Sequence, residues 1–148
     1  AIRSQGQRVF IVGEQGQMHR SLDGGQTFEA VTSPYKGSWF AAEIQPDGQF
    51  VVGGLRGQVW RSADRGQQWT ALPSPVPATI TAMAASPDGS LLLATQAGVV
   101  MRLEGDALAP LKVAPVPMPA ALLPLRGGPL LSLGVAGVVP VAAPEARP

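Results

Sequence analysis

Cysteine is absent from this chain, which excludes disulfide bridges, thiolate metal sites and a cysteine nucleophile. Histidine occurs once, at His19, and the sequence positions no second ligand beside it. No metal site is therefore expected, and His19 is expected on a sheet face. Charge is thin: 11 basic and 10 acidic side chains are scattered along 148 residues and leave a net charge of +1. That distribution offers no basic stripe to a phosphate backbone and no acidic tail, so nucleic acid is not an expected partner. No run approaches the ~20 apolar residues of a membrane-spanning helix. Ala1 to Gln7 also lacks the charged start and apolar centre of a secretory leader. Long uninterrupted segments of any kind are missing, because 18 glycines and 15 prolines punctuate the sequence. Apolar runs of only four to six residues lie between them, too short to sustain a 3.6-residue pattern. Short strands are expected and helices are not.

What the chain does have is an internal repeat. Gly57, Asp64 and Trp69 each follow Gly16, Asp23 and Phe28 by 41 residues, and Pro87-Asp88-Gly89 follows Pro46-Asp47-Gly48 by the same step. Gly98 and Arg102 continue the register from Gly57 and Arg61. A fainter copy, "GPLLSLGVAGVVPV", echoes "GSLLLATQAGVVMR" at an offset of 39. A period near 40 built from short strands predicts four-stranded antiparallel propeller blades.

The second unit reads as strands over Ser38 to Ile44, Gln49 to Gly53, Gln58 to Ser62 and Gln68 to Leu72. Pro46-Asp47-Gly48 makes the first turn, since proline presets φ, aspartate bonds its own backbone and glycine accepts positive φ. The second strands, "VFIV", "FVV" and "LLLA", are apolar at consecutive positions, as expected of strands covered on both faces. The whole chain, 1–148, is predicted to be one all-β propeller segment. Its blades cover 1–33 (partial), 38–73, 79–112 and 119–143 (partial). The first unit enters at its second strand and the last ends after its third, for fourteen strands. The ragged ends predict the C-terminal half of a larger ring, with neighbours that are either other blades of the same polypeptide or a second copy.

Two stretches carry an unusual mixture. In "SLDGGQTF", Ser21 and Asp23 can accept turn N–H groups, Gly25 can take a left-handed conformation, and Phe28 can fold over the loop as a plug. "SADRGQQW" repeats the scheme with Ser62, Asp64, Gly66 and Trp69. The third unit departs from it: "LEGDALAP" keeps Arg102 but places Leu103 and Gly105 where serine and aspartate should fall, so a different turn is expected there.

The pattern S-x-D-x-G-x-[TQ]-[FW] resembles the Asp-box of the bacterial neuraminidase repeat, and the resemblance implies structural corner pieces on the outer rim of a propeller. The longer unit, seen in "GEQGQMHRSLDGGQTFEAV" and "GGLRGQVWRSADRGQQWTAL", resembles the Ycf48-like photosystem II stability and assembly factors and their homologues in non-photosynthetic bacteria. The likeness covers about half of the chain well. It implies a seven-bladed, non-enzymatic, protein-binding scaffold without cofactors, exported or periplasmic. A photosynthetic role is not carried over, because the unit also occurs in bacteria without photosystems.

Other Asp-box propellers are sialidases and glycosidases. Sialidase chemistry, by that resemblance, wants three clustered arginines, a tyrosine–glutamate pair and an acid/base aspartate, and ordinary glycosidases want two facing carboxylates. Here the single tyrosine, Tyr35, sits in the linker "TSPYKGSW", the glutamates are scattered, and the aspartates fall in turns. Catalysis by this segment is not expected. The alternative is a sialidase-like or other glycoside hydrolase propeller whose catalytic residues lie elsewhere. Arg20, Arg61 and Arg102 recur once per unit. They form either a positively charged binding surface or, as the stronger expectation, ties whose guanidinium groups bond a neighbouring blade. Trp39, Trp60 and Trp69 are expected between blades.

Overall fold

A computed structural model describes residues 1–142. Four antiparallel meanders follow one another along the chain. Blade 1 comprises β1 (Ile2–Gln5), β2 (Arg8–Val12), β3 (Met18–Ser21) and β4 (Glu29–Ala30). Blade 2 comprises β5 (Trp39–Ile44), β6 (Phe50–Gly54), β7 (Val59–Ser62) and β8 (Thr70–Ala71). Blade 3 holds β9 (Ile80–Ala85), β10 (Leu91–Thr95), β11 (Val100–Glu104) and β12 (Ala107–Pro110). Blade 4 holds β13 (Pro119–Pro124), β14 (Leu130–Gly134) and β15 (Gly137–Pro140). Among the described residues the array is open, with no closed ring of blades.

The first unit corrects the sequence reading. It has a complete set of four strands, because Ile2–Gln5 pairs with Arg8–Val12 through a turn at Gly6-Gln7. Among the described residues fifteen strands replace the expected fourteen. β1 escapes a hydrophobicity reading because Ile2 is its one apolar residue, and its inward side is held by polar bonds: Arg3 pairs with Glu43 at 3.4 Å, and the Gln5 amide donates to the Gln45 carbonyl at 2.9 Å. The expected last blade extended to 143, a position outside the described residues.

The core lies between blades. β2, β6 and β10 alternate their side chains to opposite faces; both faces of β6 and β10 meet a neighbouring blade, and β2 meets blade 2 through Phe10 and Val12. Phe10, Val12 and Met18 of blade 1 pack on Ile44, Phe50 and Val52 of blade 2. The rings of Phe10 and Phe50 stack at 4.4 Å, and Trp69 extends the stack at 6.1 Å from Phe10. Val51, Val59 and Leu72 form the junction with Met83, Leu93 and Met101 of blade 3. Ala82, Leu92 and Val100 then meet Leu122 of blade 4. Blades 2, 3 and 4 approach one another chiefly through their first strands, β5, β9 and β13, and β5 also meets β1 and β2 of blade 1, so that the first strands form one edge of the array.

The repeating glycine at 16, 57 and 98 has a geometric reason. Each ends the turn between the second and third strands at φ of 73°, 72° and 84°, beneath the linker that leads to the next blade. A Cβ on Gly57 would stand 2.5 Å from the Val76 carbonyl oxygen, one on Gly16 2.6 Å from that of Tyr35, and one on Gly98 2.4 Å from that of Val116. Linker backbone, which cannot swing aside as a side chain can, fixes these positions as glycine. Gly57→Ala is expected to lower the unfolding free energy by about 2–4 kcal/mol, combining left-handed strain with a backbone clash. Gly89→Ala, at φ 84° with nothing within 4 Å, should cost only about 1–2 kcal/mol. Urea midpoints of the two variants check the difference.

Candidate functional site

The two Ser-Asp-Gly-aromatic boxes build nearly superposable turns between the third and fourth strands. The Ser21 hydroxyl accepts the Gly25 N–H at 2.8 Å and donates to Asp23 Oδ1 at 2.7 Å. Asp23 in turn accepts the Thr27 N–H at 2.9 Å and the Thr27 hydroxyl at 2.5 Å. In blade 2 the Ser62 hydroxyl accepts the Gly66 N–H at 2.7 Å and donates to Asp64 at 2.8 Å, while Asp64 accepts from the N–H groups of Gln67 and Gln68 at 3.0 and 2.8 Å. Ser21 and Ser62 are buried and consume their hydrogen-bonding capacity inside the turn. The Thr27 hydroxyl and N–H hold the Asp23 carboxyl well below its ordinary value, and the Gln68 N–H followed by the Ser62 hydroxyl lowers that of Asp64. A carboxylate so thoroughly bonded cannot serve as a general acid near neutral pH. In the third unit β11 and β12 join through a tight turn at Gly105-Asp106, with Gly105 at φ 62°.

The aromatic member of each box covers the face that its blade turns toward the preceding blade. Trp69 lies beside Val31 and Phe10 of blade 1. Phe28, its counterpart in blade 1, lies about 4 Å from the position of Gly25 along with Val9. No blade among the described residues lies on that side, and Phe28 is 48% exposed. Trp39 is buried, donates from its indole to Ser33 and meets Tyr35 edge-on at 5.6 Å. Trp60 packs at the same blade 1–blade 2 junction. His19 is partly exposed on the outer face of blade 1, opposite Ile11 and Ala30 in the strand register.

The arginine row bridges blades. Arg20 donates to the Arg65 carbonyl in the box of blade 2 and pairs with Glu29 at 3.1 Å. Arg61 reaches the Gly105 carbonyl at 3.0 Å and the Asp106 carboxylate in the turn of blade 3. Arg102 lines the blade 3–blade 4 junction near Leu111, Val113 and Leu130. It adds a lesser contribution to lowering the Asp88 carboxyl, which is held down first by the Ser90 hydroxyl and N–H. The two boxes, the arginines and the tryptophans are therefore not gathered into one site.

A concave site exists elsewhere, at the convergent first strands. In three blades the register of the first strand breaks by one residue, at Phe40 between Trp39 and Ala41, at Thr81 between Ile80 and Ala82, and at Ala120 between Pro119 and Ala121. Such bulges leave one residue unpaired and re-aim its side chain. Phe40, Thr81 and Ala120 all line a groove of about 410 Å³ with Leu55, Gln96 and Met118. Phe40 is 45% and Met118 55% exposed there, and Met118 adopts φ 36°, a conformation rare for a residue with a Cβ. The Thr81 hydroxyl donates to the Pro119 carbonyl at 2.5 Å, tying β9 to β13. No titratable side chain lines this groove. Sequence reasoning did not single out its residues; the available signal was "WF" at 39–40, two bulky neighbours where strict alternation places one.

Neither a protein-family model nor a curated protein matches the sequence. Solved structures do match the fold. A structure described as YCF48 bound to D1 peptide is similar over 99% of this chain and 53% of its own, at TM-score 0.65 and 19% identity. Selenomethionine-substituted virginiamycin B lyase from Staphylococcus aureus is similar over 97% of this chain and 55% of its own, at TM-score 0.71 and 13% identity. The computationally designed Ika4 protein is similar over 96% of this chain and 92% of its own, at TM-score 0.68 and 17% identity. The chain spans about half the length of the first two. These likenesses establish a β-propeller fold, of the kind seen in both the YCF48 and the lyase structures.

The lowered carboxyls of Asp23, Asp64 and Asp88 set the direction of the acid response. Each is depressed in the folded state from an ordinary 3.8, so its stabilising contribution is complete above that value and is lost as pH falls through the folded-state values. The urea midpoint is expected to be level from neutrality to about pH 5 and to fall below about pH 4. In the Asp23→Asn/Asp64→Asn double variant the acid fall should be shallower, with the share due to Asp88 retained.

Proposed function

We propose that this chain is part of a non-enzymatic, exported scaffold of the Ycf48-like Asp-box type, which holds a protein partner in the groove of its first strands. The observation that carries this reading is the character of that groove. Phe40, Leu55 and Met118 offer exposed apolar surface on a rigid sheet edge, with Thr79, Thr81 and Gln96 as neutral hydrogen-bonding neighbours. Large, unbranched or aromatic side chains with a few polar neighbours suit an extended apolar peptide. Among the described residues the groove lining has no titratable side chain, so the Thr79 and Thr81 hydroxyls have no base beside them in it. The side chains that a sequence search would enlist for chemistry, Asp23, Asp64, Arg20 and Arg61, are committed to turns and inter-blade ties. The similarity to a YCF48 described as bound to a peptide is in keeping with the same use. The lyase likeness keeps a second reading in view, an enzyme whose reacting groups lie outside this segment, as does the glycoside hydrolase alternative.

Fluorescence anisotropy with labelled extended peptides separates the two readings. Apolar peptides should bind the chain and acidic or basic ones of equal length should not. Phe40→Asp is expected to weaken binding roughly tenfold or more, as loss of a central aromatic anchor does, while Leu22→Asp, at an exposed position remote from the groove, leaves it unchanged. Equal binding to both variants, or no preference for apolar peptides, would overturn the reading.

A further inference from the structure

The chain has four methionines, and the fold treats one of them differently. Met18, Met83 and Met101 are 2%, 2% and 0% exposed, sealed in the cores between blades. Met118 is 55% exposed and lines the groove of the first strands with Phe40 and Leu55. Cysteine is absent, so no thiol competes for an oxidant, and the thioether of Met118 is the most accessible sulfur in the chain.

The position of Met118 recurs inside the array, with blades on both sides. Pro119 faces Gly134 in the strand register as Ile80 faces Thr95 and Trp39 faces Gly54. Met118, just before β13, therefore stands where Thr79 stands before β9 and Ser38 before β5. Ser38 and Thr79 stay partly exposed although their blades are packed on both faces. The opposite wall of the groove belongs to the same inner blades, where Phe40 is 45% exposed.

The backbone fixes the thioether in this place. Pro117 and Pro119 flank Met118, whose φ is 36°. A Cβ on Gly134 would stand 2.5 Å from the Met118 carbonyl oxygen, so the main chain of β14 packs directly against it. On the next residue the Thr81 hydroxyl holds the Pro119 carbonyl. A residue kept in a rarely populated conformation by several neighbours at once points to a working position.

We propose that Met118 is a reversible oxidation site and that its sulfoxide closes the groove to apolar ligands. The oxidant class is a peroxide. A sulfur lone pair attacks one oxygen of hydrogen peroxide, an S–O bond forms as the O–O bond breaks, and the departing hydroxide takes the proton of the transferred oxygen to leave as water. Sulfur is oxidised by two electrons and the peroxide is reduced by two. The product places a dipole and a strong acceptor where a flexible apolar thioether had been. An apolar segment seated there would bury that acceptor without a partner, or lose Thr79 or Gln96 to it. The closure rests on the groove reading given above, whereas the choice of methionine rests on exposure alone.

Limited hydrogen peroxide treatment of the folded chain tests both parts, read by peptide mass mapping and by the anisotropy of a labelled apolar peptide. One oxygen should be added, at Met118, with Met18, Met83 and Met101 modified only after unfolding in urea. Affinity for the peptide should fall about tenfold and return on treatment with methionine sulfoxide reductases and a thiol reductant. Met118→Leu, whatever its own affinity, should keep that affinity through the treatment. Oxidation of a buried methionine as fast as Met118 overturns the inference. So does unchanged binding by chain fully oxidised at Met118, or an equal loss of binding in Met118→Leu. Absence of peptide binding before any peroxide is added overturns the groove reading instead and takes the closure with it, while the mass map still decides whether Met118 is the oxidation site.

Discussion

Apolar contact between the broad faces of successive sheets is the constraint on which everything else in this molecule depends. A lone four-stranded meander of about 35 residues exposes both faces and cannot offset its own ordering entropy. Stacked, the same meander buries side chains on both sides, which is why β6 is apolar at every side-chain-bearing position and β10 at every one before Thr95, yet both are fully covered. The aromatic stack of Phe10, Phe50 and Trp69 is the densest instance. The end blades are the converse. β15 and β1 are the least buried of the strands of four or more residues because, among the described residues, each lies in a sheet with a neighbour on one side only.

Polar groups divide their work around that packing. The box serines and aspartates close a loop whose backbone donors would otherwise be unsatisfied, and they do so with bonds internal to the turn. Arg20 and Arg61 work between units, each stem crossing a junction to place its guanidinium on the next turn. Uncommitted side chains are left at the inner edge, where bulges at Phe40, Thr81 and Ala120 turn them out of the ladder. With Arg20, Arg61, Asp23 and Asp64 spent on geometry, the surface left at that edge is apolar and neutral.

The repeat made the architecture legible from sequence, because a strand sandwiched on both faces and a turn that needs positive φ both restrict composition strongly. Consecutive apolar residues at Val51-Val52 and Leu91-Leu92-Leu93 announced buried strands, and Pro-Asp-Gly announced the intervening turns. β1 was not legible, since its inward side is secured by Arg3 and Gln5 instead of hydrophobic residues. The glycines at 16, 57 and 98 were visible as period markers, but the passing linker that requires them belongs to the tertiary level. The groove was the least legible part. A bulge displaces one residue from an alternation and has no composition of its own, so Phe40, Thr81 and Ala120 share a position without sharing a chemistry.

The arginine ties also bear on how such a molecule can grow or shrink over evolutionary time. Arg20 and Arg61 each find a main-chain oxygen, at Arg65 and Gly105, in turns that share little sequence. A peptide carbonyl is present whatever side chain a turn carries, so the latch on one unit accepts any successor. Tandem duplication or loss of a forty-residue unit would leave every latch with a mate, and the number of units can drift without a matching change in the residues that join them.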